Sequence, residues 1–197
     1  MPSEPLVLGF DTSAAHCAAA LLAGDRLLGA VAEEMGRGQA ERLMPMLERL
    51  LAAHGATWRD LSGIGVGIGP GNFTGIRISV AAARGLALAL GIPARGVDSF
   101  DAAALGHDGP ALPVVPAPRG QLYLRLPGQA PVLAPAETAG SHGLPVLSPP
   151  EPARLAEDIA RIAATGGGTE PPAPLYVRPA DAAPSRTPAP AILPDDA

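Results

Sequence analysis

The chain has 197 residues, 47% of them hydrophobic but only 3% aromatic, with a formal net charge of −5 and a single cysteine. An acidic chain without a cluster of basic residues is not built to grip nucleic acid by itself, because phosphate neutralisation dominates such binding, and the lone Cys17 excludes an intramolecular disulfide and fits a reducing compartment. A cytoplasmic chain is expected: Met1 to Pro5 has no cationic stretch, and the longest mostly apolar run, Ile76 to Ile92, contains Arg77 and Arg84, ends at Pro93 and is too short to span a bilayer.

In chain order, Leu6 to Phe10 predicts a buried strand. Cys17 to Leu22 and Arg26 to Glu33 predict two more, joined by the turn Ala23-Gly24-Asp25. Leu43, Met46, Leu47, Leu50 and Leu51 recur at helical spacing, which predicts a helix from Gly38 to His54 that stops at Gly55. Pro45 inside it predicts a kink or an early break near the Glu41 carbonyl. Ile64 to Ile68 predicts a strand diluted by glycine. Gly69-Pro70-Gly71-Asn72 is a turn, and Phe73 to Leu90 is a second helix, crowded with small residues and stopped by Gly91 and Pro93.

Beyond about Phe100 prolines recur every few residues, and a lobe boundary is placed at Ser99 to Gly109. Leu112 to Val115, Gln121 to Leu126 and Pro131 to Leu133 are candidate strands, and Pro152 to Ala164 is a candidate helix. The resulting division is a first lobe over residues 1–100, a smaller proline-rich lobe over 101–164, and a tail from 165 that is disordered apart from a docking strand at 175–178.

The glycine-rich turn from Gly67 to Gly75 lies between a strand and a helix, where unpaired amides and the helix dipole favour an anion. It lacks the Gly-Lys-Ser/Thr ending of a P-loop, and no acidic residue closes a dinucleotide fingerprint. Together with Asp11, Thr12 and Ser13 after the first strand, Gly69, Gly71, Asn72, Thr74 and Gly75 outline a degenerate nucleotide or phosphate loop. The plainer role of the same glycines, a tight turn and close helix–strand packing, is the commoner one on mechanics alone. Asp11 could hold a metal or a phosphate-bound water, or cap a turn. His16, His54, His107 and His142 have no mutual spacing that builds a metal site, and no nucleophile elbow or acid–base pair stands out, so no cofactor, metal or catalytic residue is expected.

The first helix has an apolar stripe that Met44 and Met46 widen beyond what one core-facing side needs. It is either buried on two sides within the chain or shared with a partner.

Several ordered segments resemble the bacterial TsaB (YeaZ) family. They are Gly9-Phe10-Asp11-Thr12-Ser13, Glu41-Arg42-Leu43-Met44-Pro45-Met46, the run Gly67 to Arg77 and the run Gly85 to Pro93. Arg119 to Tyr123 and Leu175 to Arg178 are weaker echoes. The resemblance covers the first half well and the rest loosely. It implies an α/β fold of the ASKHA type (actin-like and sugar-kinase-like), with two lobes and the second reduced. It implies a non-catalytic scaffold that pairs with TsaD, the subunit that transfers threonylcarbamoyl to the adenosine beside the tRNA anticodon, with the ATPase TsaE joining. Alone, such a chain pairs with itself, and it meets tRNA only indirectly and no membrane. The family's pairing surface is a bundle of the first two helices, which places the interface here at Leu43, Met44, Met46, Leu47, Leu50, Ile76, Ser79, Val80 and Ala83. Where TsaD-type relatives carry a metal-binding histidine pair, this chain has Gln39, Ala40 and Glu41. It departs from its own family at Asn72, usually serine, and at Pro116-Ala117-Pro118-Arg119, usually Asp-Ala-Arg-Arg. The competing readings are an ASKHA-type ATP-dependent transferase or a TsaD-like metallopeptidase acting alone, and a self-associating chaperone-like factor with no tRNA link.

Overall fold

The computed structural model describes residues 4–166 and 170–177 of a mixed α/β chain with two sheets. The first sheet begins as an antiparallel meander of β1 (Leu6–Asp11), β2 (His16–Ala23) and β3 (Arg26–Glu34). β4 (Leu61–Gly67) then adds parallel to β1, and β5 (Ala94–Val97) parallel to β4, giving the order β3-β2-β1-β4-β5. The second sheet has the order β8-β7-β6-β9, from β6 (Leu112–Ala117), β7 (Gln121–Leu124), β8 (Val132–Pro135) and the short β9 (Val146–Leu147).

Period-two alternation explains how the first sheet is covered. Leu8 and Phe10 of β1, Ala19 and Leu21 of β2, and Ile64 and Val66 of β4 share one face. They form the main core with Leu43, Leu47 and Leu51 of α1 (Gln39–Ala53) and Ala83 of α2 (Phe73–Leu90). The opposite face is made of small residues and receives α4 (Pro152–Ala164), where Val7 and Leu22 meet Ala160, and Ala18 and Ala20 meet Ala156. Glycine sets how close α4 lies: a Cβ on Gly9 would sit 2.4 Å from the Ala156 carbonyl oxygen, and one on Gly65 2.7 Å from that of Ile159. Of the glycines that dilute the β4 sequence, Gly65 is the one that meets this helix, while Gly67 faces Asp11.

Two placements differ from the sequence reading. Helix α4, assigned there to the second half, returns to the first sheet, because its buried stripe of Leu155, Ala156, Ile159 and Ala160 finds the small-residue face left free by α1 and α2. Helix α1 runs through Pro45 without the predicted break. Proline removes one bond, to the carbonyl of Glu41, whose side is exposed, and the buried side of the helix holds the rest in line. Within the predicted boundary region lies α3 (Ser99–Ala104), capped by Asp98, whose carboxylate accepts the amide of Asp101. The strands β5 and β9 and helix α3 were not predicted; each is too short to show a period. The predicted strand to Leu126 ends at Leu124, where Arg125 turns away to pair with Asp98 and Asp101. Of the predicted docking strand at 175–178, Leu175 donates its amide to the Ile68 carbonyl but no strand forms among the described residues. Arg178 and the rest of the predicted tail, residues 178–197, lie outside the described residues.

Helix α2 is, among the described residues, the one helix long and apolar enough to cross a membrane by length and composition, with a mean hydropathy of 1.4. Its inner side is part of the core under the first sheet.

Candidate functional site

The end of β1 and the start of α2 lock together. Asp11, 1% exposed, accepts from the Ser13 amide and hydroxyl at 2.9 Å each through Oδ2, and the same oxygen meets Nε2 of His16 at 2.6 Å. Its Oδ1 has no hydrogen-bond partner among the described residues and faces Gly67, where a Cβ would come within 1.8 Å of it. The Thr12 hydroxyl donates to the Gly75 carbonyl at 2.7 Å, and the Asn72 amide donates to the Ser13 carbonyl at 2.6 Å. The Asn72 side chain accepts the Gly75 amide and caps α2.

These contacts correct the phosphate-loop reading. A Cβ on Gly71 would lie 2.2 Å from the Ser13 carbonyl oxygen, and one on Gly75 1.9 Å from that of Thr12. The glycines are therefore filled by the Asp11-Thr12-Ser13 turn, and carbonyl oxygens, not amides, face them. The Gly75 and Asn72 amides are already donating within the chain, and Gly69, with φ 94, accepts the Ser99 amide through its carbonyl. Of the residues assigned to that loop, Thr74 and Asn72 are exposed. The plainer role, close packing of strand and helix, is the one the geometry supports.

Beside this junction a cleft of about 540 Å³ opens between the two sheets. The loop contributes Pro70, Asn72 and Phe73, β6 and β7 contribute Val115 and Tyr123, and the segment leading into α4 contributes Ser148 and Pro149. Ser13, His16, Asn72, Ser99, Tyr123 and Ser148 are its polar lining residues. Of the residues that line the cleft, Ser13, Gly71 and Asn72 were assigned to a candidate site from the sequence. The lining residues come from elements scattered along the chain, and His16 has no local motif to mark it. At the mouth, the Arg77 guanidinium lies 3.8 Å over the Phe73 ring and its Nε donates to the Tyr176 hydroxyl at 2.9 Å, with the two rings 4.9 Å apart. This cluster ties the segment 170–177 to the first turn of α2. Cys17 is buried and its thiol is pushed up to about 11, chiefly by burial and then by the Glu33 carboxylate, so it is no nucleophile.

The partner surface assigned from the sequence is also corrected. Leu43, Met46, Leu47 and Leu50 of α1, and Ile76, Ser79, Val80 and Ala83 of α2, are all buried in the chain's own core. The Ser79 hydroxyl donates to the Gly67 carbonyl at 3.1 Å, which fastens α2 to β4. Met44 alone of the nine remains half-buried. The over-wide stripe reflects a helix wedged between a sheet and a second helix, the first of the two alternatives left open. The apolar surface that α2 does present is on its other side: Ala81, Gly85, Leu88 and Ala89 are exposed, Leu88 to 87%. No acidic residue occurs in α2, and Arg77 and Arg84 flank that surface.

Residues 23–131 match the family model described as TsaD: tRNA N6-adenosine threonylcarbamoyltransferase. An uncharacterized protein of Mycobacterium tuberculosis is 35% identical over 204 residues, covering 90% of this chain and 94% of its own length. The tRNA threonylcarbamoyladenosine biosynthesis protein TsaB of Bacillus subtilis is 36% identical over 123 residues, covering 61% of this chain and 54% of its own length. The chain thus matches about half the length of that named relative. The solved structure of YeaZ from Pseudomonas aeruginosa superposes with a TM-score of 0.68 at 26% identity, covering 87% of this chain and 99% of that one. Sequence segments, model match and superposition agree, and the chain belongs to this family, in its TsaB (YeaZ) branch.

Proposed function

We propose that this protein is a non-catalytic scaffold in tRNA threonylcarbamoyladenosine biosynthesis. It pairs with a TsaD-like catalytic subunit, is joined by a TsaE-like ATPase, and self-associates when alone. The reading takes the fold as ASKHA-type, with a first lobe built on the five-stranded sheet and a reduced second lobe on the four-stranded one, in a cytoplasmic protein. Contact with tRNA is indirect, in keeping with a net charge of −5.

The observation that carries it is the outer side of α2. An apolar helical surface with Leu88 87% exposed, small residues at Ala81 and Gly85, and no acidic side chain suits close contact with another helix. The pairing surface is accordingly moved from the inward residues to Ala81, Gly85, Leu88 and Ala89, with the half-buried Met44, Ile78 and Ala82 beside them. Inside the chain, the junction that resembles a nucleotide loop has its hydrogen-bonding groups engaged by its own turn, which favours a scaffold over an autonomous transferase.

The test is co-purification of Leu88→Asp with the TsaD-like protein from the same source. At so exposed a position the variant should melt within about 0.5 kcal/mol of wild type. It should be recovered with far less partner, because the new carboxylate would be desolvated in an apolar contact. Recovery of the partner at wild-type yield would remove this surface from consideration, and tight ATP binding by the isolated chain would favour the enzyme reading.

A further inference from the structure

We propose that the segment 170–177 is part of the surface that receives the partner, and that the groove it forms with α2 seats an apolar side chain of the TsaD-like subunit beside a carboxylate that meets Arg84. The inference rests on the pairing reading and extends it from one helix to a helix and a strap.

The strap is fixed at several points. Pro172 is buried against β5, where a Cβ on Gly96 would lie 3.4 Å from the Pro172 Cβ. The Leu175 amide donates to the Ile68 carbonyl at 2.9 Å, just past the end of β4. Tyr176 meets the first turn of α2, with its ring 4.9 Å from that of Phe73 and its hydroxyl accepting from Arg77 Nε at 2.9 Å. The strap therefore runs beside α2 from its last turns back to its first.

Between strap and helix lies a groove of about 530 Å³. Arg84, Gly85 and Leu88 line it from α2, Ile92 from the turn after the helix, and Pro171 and Pro172 from the strap. Gly85 and Leu88 also belong to the outer side of α2, so the groove is continuous with the pairing surface. Arg84 is the one charged residue in the lining, and the others are apolar or glycine. A small-molecule site needs several placed polar groups to orient its ligand. An arginine in an otherwise apolar setting has instead the composition of a protein contact. An anchored strap with two prolines has little freedom left to lose, which lowers the cost of association.

Charge favours a different protein over a second copy. Arg77 and Arg84 are the charged residues of α2, and none of its residues is acidic. Two copies packed along α2 would bring arginines together with no carboxylate on either helix, and like charges juxtaposed in a contact are costly. A chain that offers a carboxylate next to an apolar side chain removes that cost and suits the guanidinium.

The experiment is hydrogen exchange read by mass spectrometry on the full chain, alone and with the TsaD-like protein from the same source, together with co-purification of Pro171→Asp and Arg84→Glu. On binding, exchange should slow over residues 170–177 as well as over the last turns of α2. Both substituted positions are exposed, so the variants should melt like wild type. Each should recover the partner about tenfold less tightly bound, as loss of one central contact implies. Slowed exchange confined to α2, or wild-type recovery of the partner by Pro171→Asp, overturns the inference. So does a Pro171→Asp chain that loses only its self-association, which assigns the groove to a second copy. Failure of the pairing reading is read separately from Leu88→Asp: partner lost there but kept by Pro171→Asp leaves α2 as the surface and removes the strap from it. Should either variant melt early, exchange in the wild type decides.

Discussion

The two sheets are built on different terms. Every residue of β2 in the five-stranded sheet is buried, helices cover both faces, and one large core joins β1, β2 and β4 to α1 and α2. The four-stranded sheet has short strands interrupted by Pro113, Pro116 and Pro135, and its buried cluster is only Leu112, Val114, Leu124 and Ala139. Proline withholds a ladder bond and small cores bury little area, so most of the stability is held by the first sheet. Helix α4 sharpens the contrast. It follows the second sheet in sequence yet covers the other face of the first, so the four-stranded sheet is inserted into the chain that encloses the first sheet. The lesson is that this second sheet can vary at modest cost to the whole, whereas the junctions that close helices onto the first cannot.

The largest effect should come from that junction. Gly75→Val would drive a side chain into the Thr12 backbone, which has no room to yield, and roughly 3 kcal/mol or more of stability should be lost in urea titrations. An unchanged midpoint would show that strand and helix are less tightly joined than their 1.9 Å virtual contact implies. Next is Met46→Glu. At 2% exposure it faces the core and not a partner, so it should destabilise the isolated chain by about 3 kcal/mol, in contrast to Leu88→Asp. A variant that melted like wild type and lost only its partner would restore the inward residues as an interface.

The third comparison is within the second sheet. Leu112 is as fully buried as Leu21, yet Leu112→Ala should lie at the low end and Leu21→Ala at the high end of the roughly 2–5 kcal/mol range for such truncations. Equal losses from matched denaturation curves would mean the sheets are energetically equivalent. The smallest effect is electrostatic. Hydrogen bonds from Arg42 hold the Glu33 carboxyl below its ordinary 4.5. A lowered carboxyl stabilises the fold above its unfolded value and loses that contribution as pH falls. Asp98 has the opposite sign: burial raises its carboxyl above 3.8 against the pull of the Asp101 amide and Arg125, so its contribution weakens as pH rises through that window. Melting temperatures between about pH 3 and 6 should therefore fall less steeply with acid in Arg42→Gln than in wild type. Parallel curves would show that the surface pair contributes nothing measurable, as many exposed pairs do.

Much of this was legible in the sequence because it depends on neighbours along the chain. Alternation in β1 and β2, the 3.6 period of α1, the Asn72 cap and the Gly91 stop fix local structure through contacts a few residues apart, and α2 and α4 have the predicted limits. The family segments likewise lie in continuous runs. Direction was not legible. The stripe Leu43, Met46, Leu47 and Leu50 announces an apolar side without saying whether a sheet of the same chain or another protein covers it. Only the tertiary structure decided that α1 and α2 bury those residues and present Leu88 instead, because burial depends on residues far apart in sequence. The same holds for the cleft and for α4. His16 gains its orientation from Asp11, Tyr123 and Pro149 line the same cleft from distant parts of the chain, and Gly9 and Gly65 acquire their purpose only when α4 returns to lie on them.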